Sequence, residues 1–240
     1  MNRSVEALLA WNKRMHALAD HAPLRISCRL SGAVCMPEHP VALDSLLAMV
    51  VCQMTGQPLA MSAADIVPVE IPIQREPRGR FHMSSLGIFE VEKHTASFTN
   101  RRFPLSEAQT MGDPKRVRRI LVTGGATKSF RIPRVHTHLK RREIVWFCVG
   151  NEVEIASLLP LITSVGKKRG VGLGALVLGS WDVRRVEHPW EGFPLLQNGV
   201  PLRPLPLDFP GLGEHGRAYR TLSYPYWDRR REEELAVPLC

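Results

Sequence analysis

The sequence predicts an α+β protein: a ferredoxin-like (RRM-type) β-α-β core, interrupted by a long basic insertion arm and followed by an extended proline-rich C-terminal tail. Three observations predict it. Strand–helix–strand patterns occur twice, before Arg75 and again after Arg142. The intervening stretch has no strong hydrophobic period and holds a concentrated positive charge. Eight of the nineteen prolines lie beyond His188. The expected division is residues 1–74 for an N-terminal helix and the first β-α-β half, and 75–142 for the basic arm or thumb. Residues 143–187 form the second half, and 188–240 the proline- and aromatic-rich tail.

Residues 2–20 read as an amphipathic helix, with Leu8, Leu9, Trp11, Met15 and Leu18 near helical spacing. In the next segment Leu24, Ile26, Cys28 and Leu30 alternate with Arg25, Ser27 and Arg29, the pattern of a half-buried strand. Leu43 to Thr55 reads as a buried helix stopped by Gly56. Ile66 to Ile73 alternates again, but Pro68 and Pro72 confine it to a sheet edge or bulge. Within 75–142 one strand candidate stands out, Phe130–Leu139. A structureless loop of that length is improbable without a function, so a hairpin arm is expected.

Glu143 to Val149 is a compact apolar strand. Asn151 then caps a helix, with Glu154 three residues on, running to about Val165 with a kink at Pro160. A glycine-rich loop follows, and Ala175–Val186 closes the unit as a strand. The tail is expected to lack helix and strand. Tyr219, Tyr224, Tyr226 and Trp227 lie among Arg217, Arg220, Arg229, Arg230 and Arg231, and either dock it onto the domain or offer stacking faces to bases; docking is favoured, because such a tail needs anchors to be ordered.

Composition narrows the function. The apolar run Leu46–Cys52 is far too short for a bilayer, which needs about 20 residues, and no signal core opens the chain. Five cysteines (28, 35, 52, 148 and 240) without a Cys-x-x-Cys argue against a disulfide framework or zinc ribbon, so the cytoplasm is the expected compartment and these thiols read as small core residues. The net charge is +9, yet residues 101–142 alone carry +10 and the other 198 residues sum to −1. Like charge so concentrated repels itself, and a polyanion is the commonest partner that relieves it. A merely solvated basic loop is the plainer explanation.

Gly166, Gly170, Gly172 and Gly174 surround Lys167, Lys168 and Arg169. Dinucleotide sites place such a loop between strand and helix. Here the order is helix, glycines, strand, and Ala175 stands where the third glycine belongs. Thr123–Ser129 approaches a phosphate-binding loop but has Thr127 before the lysine and Val122 at the first glycine position. No nucleotide cofactor is implied. Glycines and three cations suit an extended phosphodiester backbone, and the alternative is a tight turn whose glycines only permit close packing of helix on strand.

The helix followed by GKKRGVGLG and a closing strand resembles the glycine-rich loop of the CRISPR-associated RAMP superfamily, ferredoxin-fold proteins that process or hold CRISPR RNA. Together with the Leu43–Leu47 helix, the basic arm and Tyr224–Trp227, the chain is most similar to the small RAMP subunit of type IV effector complexes, a relative of the subunit that caps the 5′ handle of the guide. The resemblance implies CRISPR RNA, target DNA and backbone RAMP subunits as partners. It implies that the loop 166–174 faces RNA phosphates, aided by Arg131, Arg134, Lys140, Arg141 and Arg142, and that Arg101 and Arg102 meet target DNA. Ala175 and Leu176 depart from the polar residue that many relatives carry after the last glycine.

Some relatives cut repeat RNA through histidine. His136 and His138, two apart on the expected strand, share one face. Among so many arginines they read as phosphate-contacting or stacking groups rather than as acid, base or metal ligands. The expectation is therefore a non-catalytic subunit. Its alternatives are a metal-independent repeat endoribonuclease using His136 or His138, and an adaptor whose basic arm meets an acidic protein.

Overall fold

A computed structural model describes residues 3–36, 41–57, 68–101, 130–167, 169–223 and 231–238, with backbone alone at 99–101 and 130–133. It is a mixed α+β chain built on small antiparallel sheets. Helix α1 (Arg3–His16) buries Leu8 and Met15, while Leu9 of the expected face is exposed. Strand β1 (Ala22–Arg29) buries Leu24, Ile26 and Cys28, as its alternation predicts. Helix α2 (Leu43–Met54) ends before Gly56, whose φ of 68° supplies the left-handed stop.

Strand β4 (Glu143–Gly150) pairs antiparallel with β1, and β5 (Asp182–Arg185) pairs with its other side, giving the order β4-β1-β5. Isolated bridges Ile73–Gly150, Ser84–Cys148 and Ile88–Val145 run along the outer edge of β4. The expected strand at Ile66–Ile73 reduces, among its described residues, to the bridge at Ile73. The prolines explain this, since each removes a ladder donor.

Helix α3 (Glu152–Leu158) starts as the sequence predicts: Asn151 Oδ1 accepts from the Glu154 N–H at 3.0 Å. Glu154 does not complete a capping box, because its carboxylate pairs with Arg14 at 2.9 Å. The helix stops seven residues short of Val165: a 3₁₀ turn at Leu159–Leu161 takes over around Pro160. The expected strand Ala175–Val186 is broken by a turn at 178–179, where Gly179 has φ 68°, so only Asp182–Arg185 joins the sheet. One core unites these elements. Leu24, Ile26, Cys28, Leu43, Leu47, Val51, Ile144, Trp146, Cys148, Ile155 and Leu158 are buried together.

Phe130–Leu139 forms strand β3, and its partner is β2 (Val91–Arg101), which sequence reading missed. Val91 to Phe98 are exposed on both faces, so β2 carries no apolar alternation to detect.

Beyond His188 the chain is not free of strand. A hairpin of β6 (Leu196–Gln197) and β7 (Val200–Pro201) precedes a second antiparallel sheet. That sheet has the order β8-β10-β9, from Leu205–Pro206, Glu232–Val237 and Gly216–Thr221. It buries Leu195, Leu196, Leu205, Leu222 and Leu235 against Phe81. Two aromatic residues outside the expected set dock this part of the chain. Trp190 and Phe193 stack edge-on against Phe147 at 4.9 and 5.8 Å, whereas Tyr219 is exposed. Tyr224, Tyr226, Trp227, Arg229 and Arg230 lie outside the described residues.

Candidate nucleic-acid interface

Residues 29–35 are the hub of the basic surface. On one side Val34 and Thr137 of β3 exchange backbone hydrogen bonds of 3.0 and 2.8 Å. On the other, the Lys167 N–H donates to Cys35 O at 2.7 Å and the Gly174 N–H to Ala33 O at 2.9 Å. One short segment therefore joins the histidine-bearing strand to the glycine-rich loop. These regions are some thirty residues apart in the sequence, and backbone pairing brings them side by side.

The four loop glycines divide into two kinds. Gly166 and Gly174 form the stem, at φ 82° and 72°. A Cβ on Gly166 would sit 2.8 Å from Cys35 O, and one on Gly174 only 1.8 Å from Val165 O. Neither place tolerates a side chain, so here the tight-turn explanation holds. Gly170 and Gly172 form the apex, and a Cβ on either meets nothing within 4 Å. Gly172 still needs its freedom at φ 84°. Between stem and apex the buried Leu173 pins the loop to the body.

Lys167 and Arg169 are exposed on this frame, and Arg169 leans on α2 through a 3.6 Å contact of Nη1 with Met49 Sδ. No carboxylate among the described residues lies within 4 Å of either cation. Lys168 and Arg102 lie outside the described residues, and Arg101 and Arg131 are described in backbone only.

On β3 the histidines do share one face, as their spacing predicts. His136 Nε2 lies 2.6 Å from Ser97 Oγ, and His138 Nε2 lies 3.1 Å from Thr95 Oγ1. Arg134, opposite Ser97, and Lys93, opposite His138, stand on the same face. The rings are thus held by hydroxyls rather than by a carboxylate, and no cluster of three or more potential metal ligands occurs among the described residues. A ring oriented by a hydroxyl can donate to or accept from a polar ligand.

Between β3 and β4 the chain turns through Lys140, Arg141 and Arg142. Lys140 is committed to Glu90 at 2.9 Å. Its hydrogen bond and charge, with a smaller contribution from Arg141, lower the pKa of Glu90. Arg141 and Arg142 are exposed, and both take left-handed backbone, at φ 58° and 54°. Arg142 O accepts from the Leu30 N–H at 2.7 Å, which sets the turn beside the end of β1. There stands Arg29, exposed and overlooked in the sequence because it reads only as the polar member of an alternating strand.

Residues 29–35 thus join three basic segments: the turn with Arg141 and Arg142 beside Arg29, the β3 strand with Arg134, His136 and His138, paired to Lys93 of β2, and the loop with Lys167 and Arg169. Charge and N–H donors of this kind are what an anion-binding surface requires. No family model matches the chain, and no curated protein matches it. No helix among the described residues is long and apolar enough to cross a membrane.

Proposed function

We propose that the protein is a non-catalytic RNA-binding subunit of a CRISPR ribonucleoprotein effector complex of type IV. In this reading it grips the 5′ handle of the CRISPR RNA and helps position target DNA near its flanking motif. The reading takes the core as ferredoxin-like; what supports it is the antiparallel order β5-β1-β4, the isolated bridges at 73–88 along the free edge of β4, and the positions of α2 after β1 and α3 after β4. The inserted arm of this reading is expected within residues 75–142, where β2 and β3 form a described hairpin, while residues 75–88 run beside the core along β4. Lys167, Lys168 and Arg169 face RNA phosphates, while Arg101 and Arg102 are assigned to DNA. Backbone RAMP subunits are the protein partners, and the compartment is the cytoplasm.

A single observation carries the reading. The two features that the sequence singles out for a polyanion, the glycine-rich loop and the basic β3 strand, hydrogen-bond to the same seven-residue segment. A solvated basic loop has no need of that convergence.

The test is to isolate the protein from its host after a high-salt wash and sequence the RNA that accompanies it. Short RNAs sharing one 5′ end are expected. No RNA, or a random mixture, overturns the proposal. The non-catalytic assignment is checked on a denaturing gel, where repeat RNA should stay intact with the protein alone, with or without divalent metal.

A further inference from the structure

The geometry points to a built phosphate site at the β3–β4 turn, which adds Arg29 and a preset backbone to the contacts that the resemblance implies for Arg141 and Arg142. We infer that Arg141 and Arg142, with Arg29 beside them, form a preset clamp for the phosphodiester backbone of single-stranded RNA. The inference rests on the RNA-binding reading above.

The first argument is backbone conformation. Left-handed backbone disfavours every residue with a Cβ, and a turn that needs it normally carries Gly, Asn or Asp. Two consecutive arginines hold it here, at φ 58° and 54°. A sequence selected only to connect β3 to β4 has cheaper residues to use, so the side chains supply the reason. Strain of this kind is retained where surrounding structure fixes it and function uses it. The fixing is visible: Arg142 O is tied to the Leu30 N–H at 2.7 Å, and the Lys140 N–H to Glu90 O at 2.8 Å.

The second argument is the supply of counter-charge. Two carboxylates flank the turn, and both are engaged. Glu90 holds Lys140 at 2.9 Å, and Glu143 holds Arg25 at 2.9 Å. Arg29 stands opposite Glu143 in the β1–β4 register, one position from the turn. None of Arg29, Arg141 and Arg142 has a carboxylate within 4 Å among the described residues, and all three are exposed. Arg142 Nη1 only grazes Ser31 O at 3.5 Å. Three guanidinium groups with open donor edges, one at the end of the β1–β4 ladder and two in the turn next to it, suit the phosphates of an extended strand. Contacts of this kind are blind to the bases.

The test measures salt-dependent binding of short oligouridine and oligoadenine RNAs, together with melting temperature. Replacing both turn residues (Arg141→Gly with Arg142→Gly) relieves the backbone while removing the charge. The melting temperature should hold or rise, and the slope of log K against log salt should shrink by about 1.4, the single-strand value for two lost contacts. Both RNAs should lose equally. Arg29→Ala should take a further ~0.7 from the slope. The double lysine variant (Arg141→Lys with Arg142→Lys) keeps charge and strain and should retain the slope. Arg184→Ala, whose guanidinium already pairs with Asp182 at 2.8 Å, should leave it unchanged. An unchanged slope in the double glycine variant of a protein that binds RNA overturns the clamp alone. So does a fall of several degrees in its melting temperature, or a loss confined to one of the two RNAs. If the unaltered protein binds neither RNA, the RNA-binding reading fails and the clamp falls with it.

Discussion

Arg203 and Arg142 are the same residue in opposite circumstances, and the contrast separates the two basic regions of the molecule. Arg203 lies at the seam between the main core and the C-terminal sheet and is 1% exposed. Its Nη1 donates to Asp44 Oδ2 at 3.1 Å and to His82 O at 2.7 Å, and its Nη2 donates to Leu222 O at 2.7 Å. The guanidinium plane also sits 5.0 Å from the Phe81 ring centre. Arg142, like Arg29, Arg141 and Arg169, faces solvent and has no ion pair within 4 Å among the described residues. A positive charge surrounded by its own protein's acceptors has been used up by folding. One left without them is available to a partner. The sequence total of +9 counts both alike.

Breaking the seam should give the largest effect. Arg203→Met leaves Asp44 buried without its countercharge and should cost about 3–5 kcal/mol of folding stability, measured by chemical denaturation. Adding Asp44→Leu removes the orphaned charge and should recover part of the loss. A cost below ~1 kcal/mol for the single change would mean that Arg203 is no more structural than a surface arginine, and the contrast would collapse.

The glycine-rich loop holds the same contrast at smaller scale. Gly174→Ala sets a methyl 1.8 Å from Val165 O in left-handed backbone. It should cost about 2–5 kcal/mol, combining overpacking with conformational strain. Gly170→Ala meets nothing within 4 Å, and φ at Gly170 is not positive. It should be neutral, or stabilising by up to ~1 kcal/mol through the unfolded chain. Equal losses at the two positions would erase the division into stem and apex.

Acid should act on the seam before it acts on the surface. Burial lowers the pKa of His82, and the Nε2 to Glu70 distance of 3.8 Å is too long for a hydrogen bond to offset that. Burial alone would raise Glu70, but His82 close by and the hydrogen-bonded, charged Arg75 bring it down to about 2. With His82 neutral, the Arg75 fork at 2.8 and 3.0 Å sustains the direction. Both groups have folded pKa values below their unfolded ones. The stability they contribute is complete above the unfolded pKa of each and is lost as pH falls. Stability should therefore decline below about pH 6.5 through His82, then from about 4.5 toward 2 through Glu70. His82→Gln should remove the upper limb, and Arg75→Ala should weaken the lower one. Urea denaturation across this range reads both. A profile flat from pH 7 to 5 would remove His82 from the seam's acid response.

Sequence made legible those elements whose physics is local. The alternation of Leu24, Ile26 and Cys28 marks β1 because one face is buried and the other is not. Asn151 marks the start of α3 because a cap acts within one turn. β2 escaped notice because Val91–Phe98 buries neither face and its stability comes from pairing with β3. The short strands β6 to β10 escaped because their apolar residues meet Phe81, more than a hundred residues earlier. The site followed the same rule. Glycines and cations could be located in the chain, but the 1.8 Å approach at Gly174 and the open space at Gly170 depend on neighbours that folding alone supplies. Arg29 became a candidate only when the Leu30–Arg142 hydrogen bond set it beside the turn.

The smallest expected change in stability belongs to the loop cations, and it is the sharpest test of the contrast. Lys167 and Arg169 are exposed and without ion pairs among the described residues, so replacing both with alanine should shift folding free energy by no more than about 0.5 kcal/mol. Arg169 also gives up its contact with Met49, a weak sulfur acceptor, which adds little. RNA binding should nonetheless weaken, with a salt slope smaller by about 1.4 on a single strand. Arg203→Met should show the reverse: a large stability cost, and an unaltered slope under conditions where the variant remains folded. The two variants therefore separate charge that holds the fold from charge that meets RNA. A loop variant that loses stability as Arg203→Met does would show that Lys167 and Arg169 are bound to the protein's own acceptors, and the surface would then have no more claim to a partner than the seam.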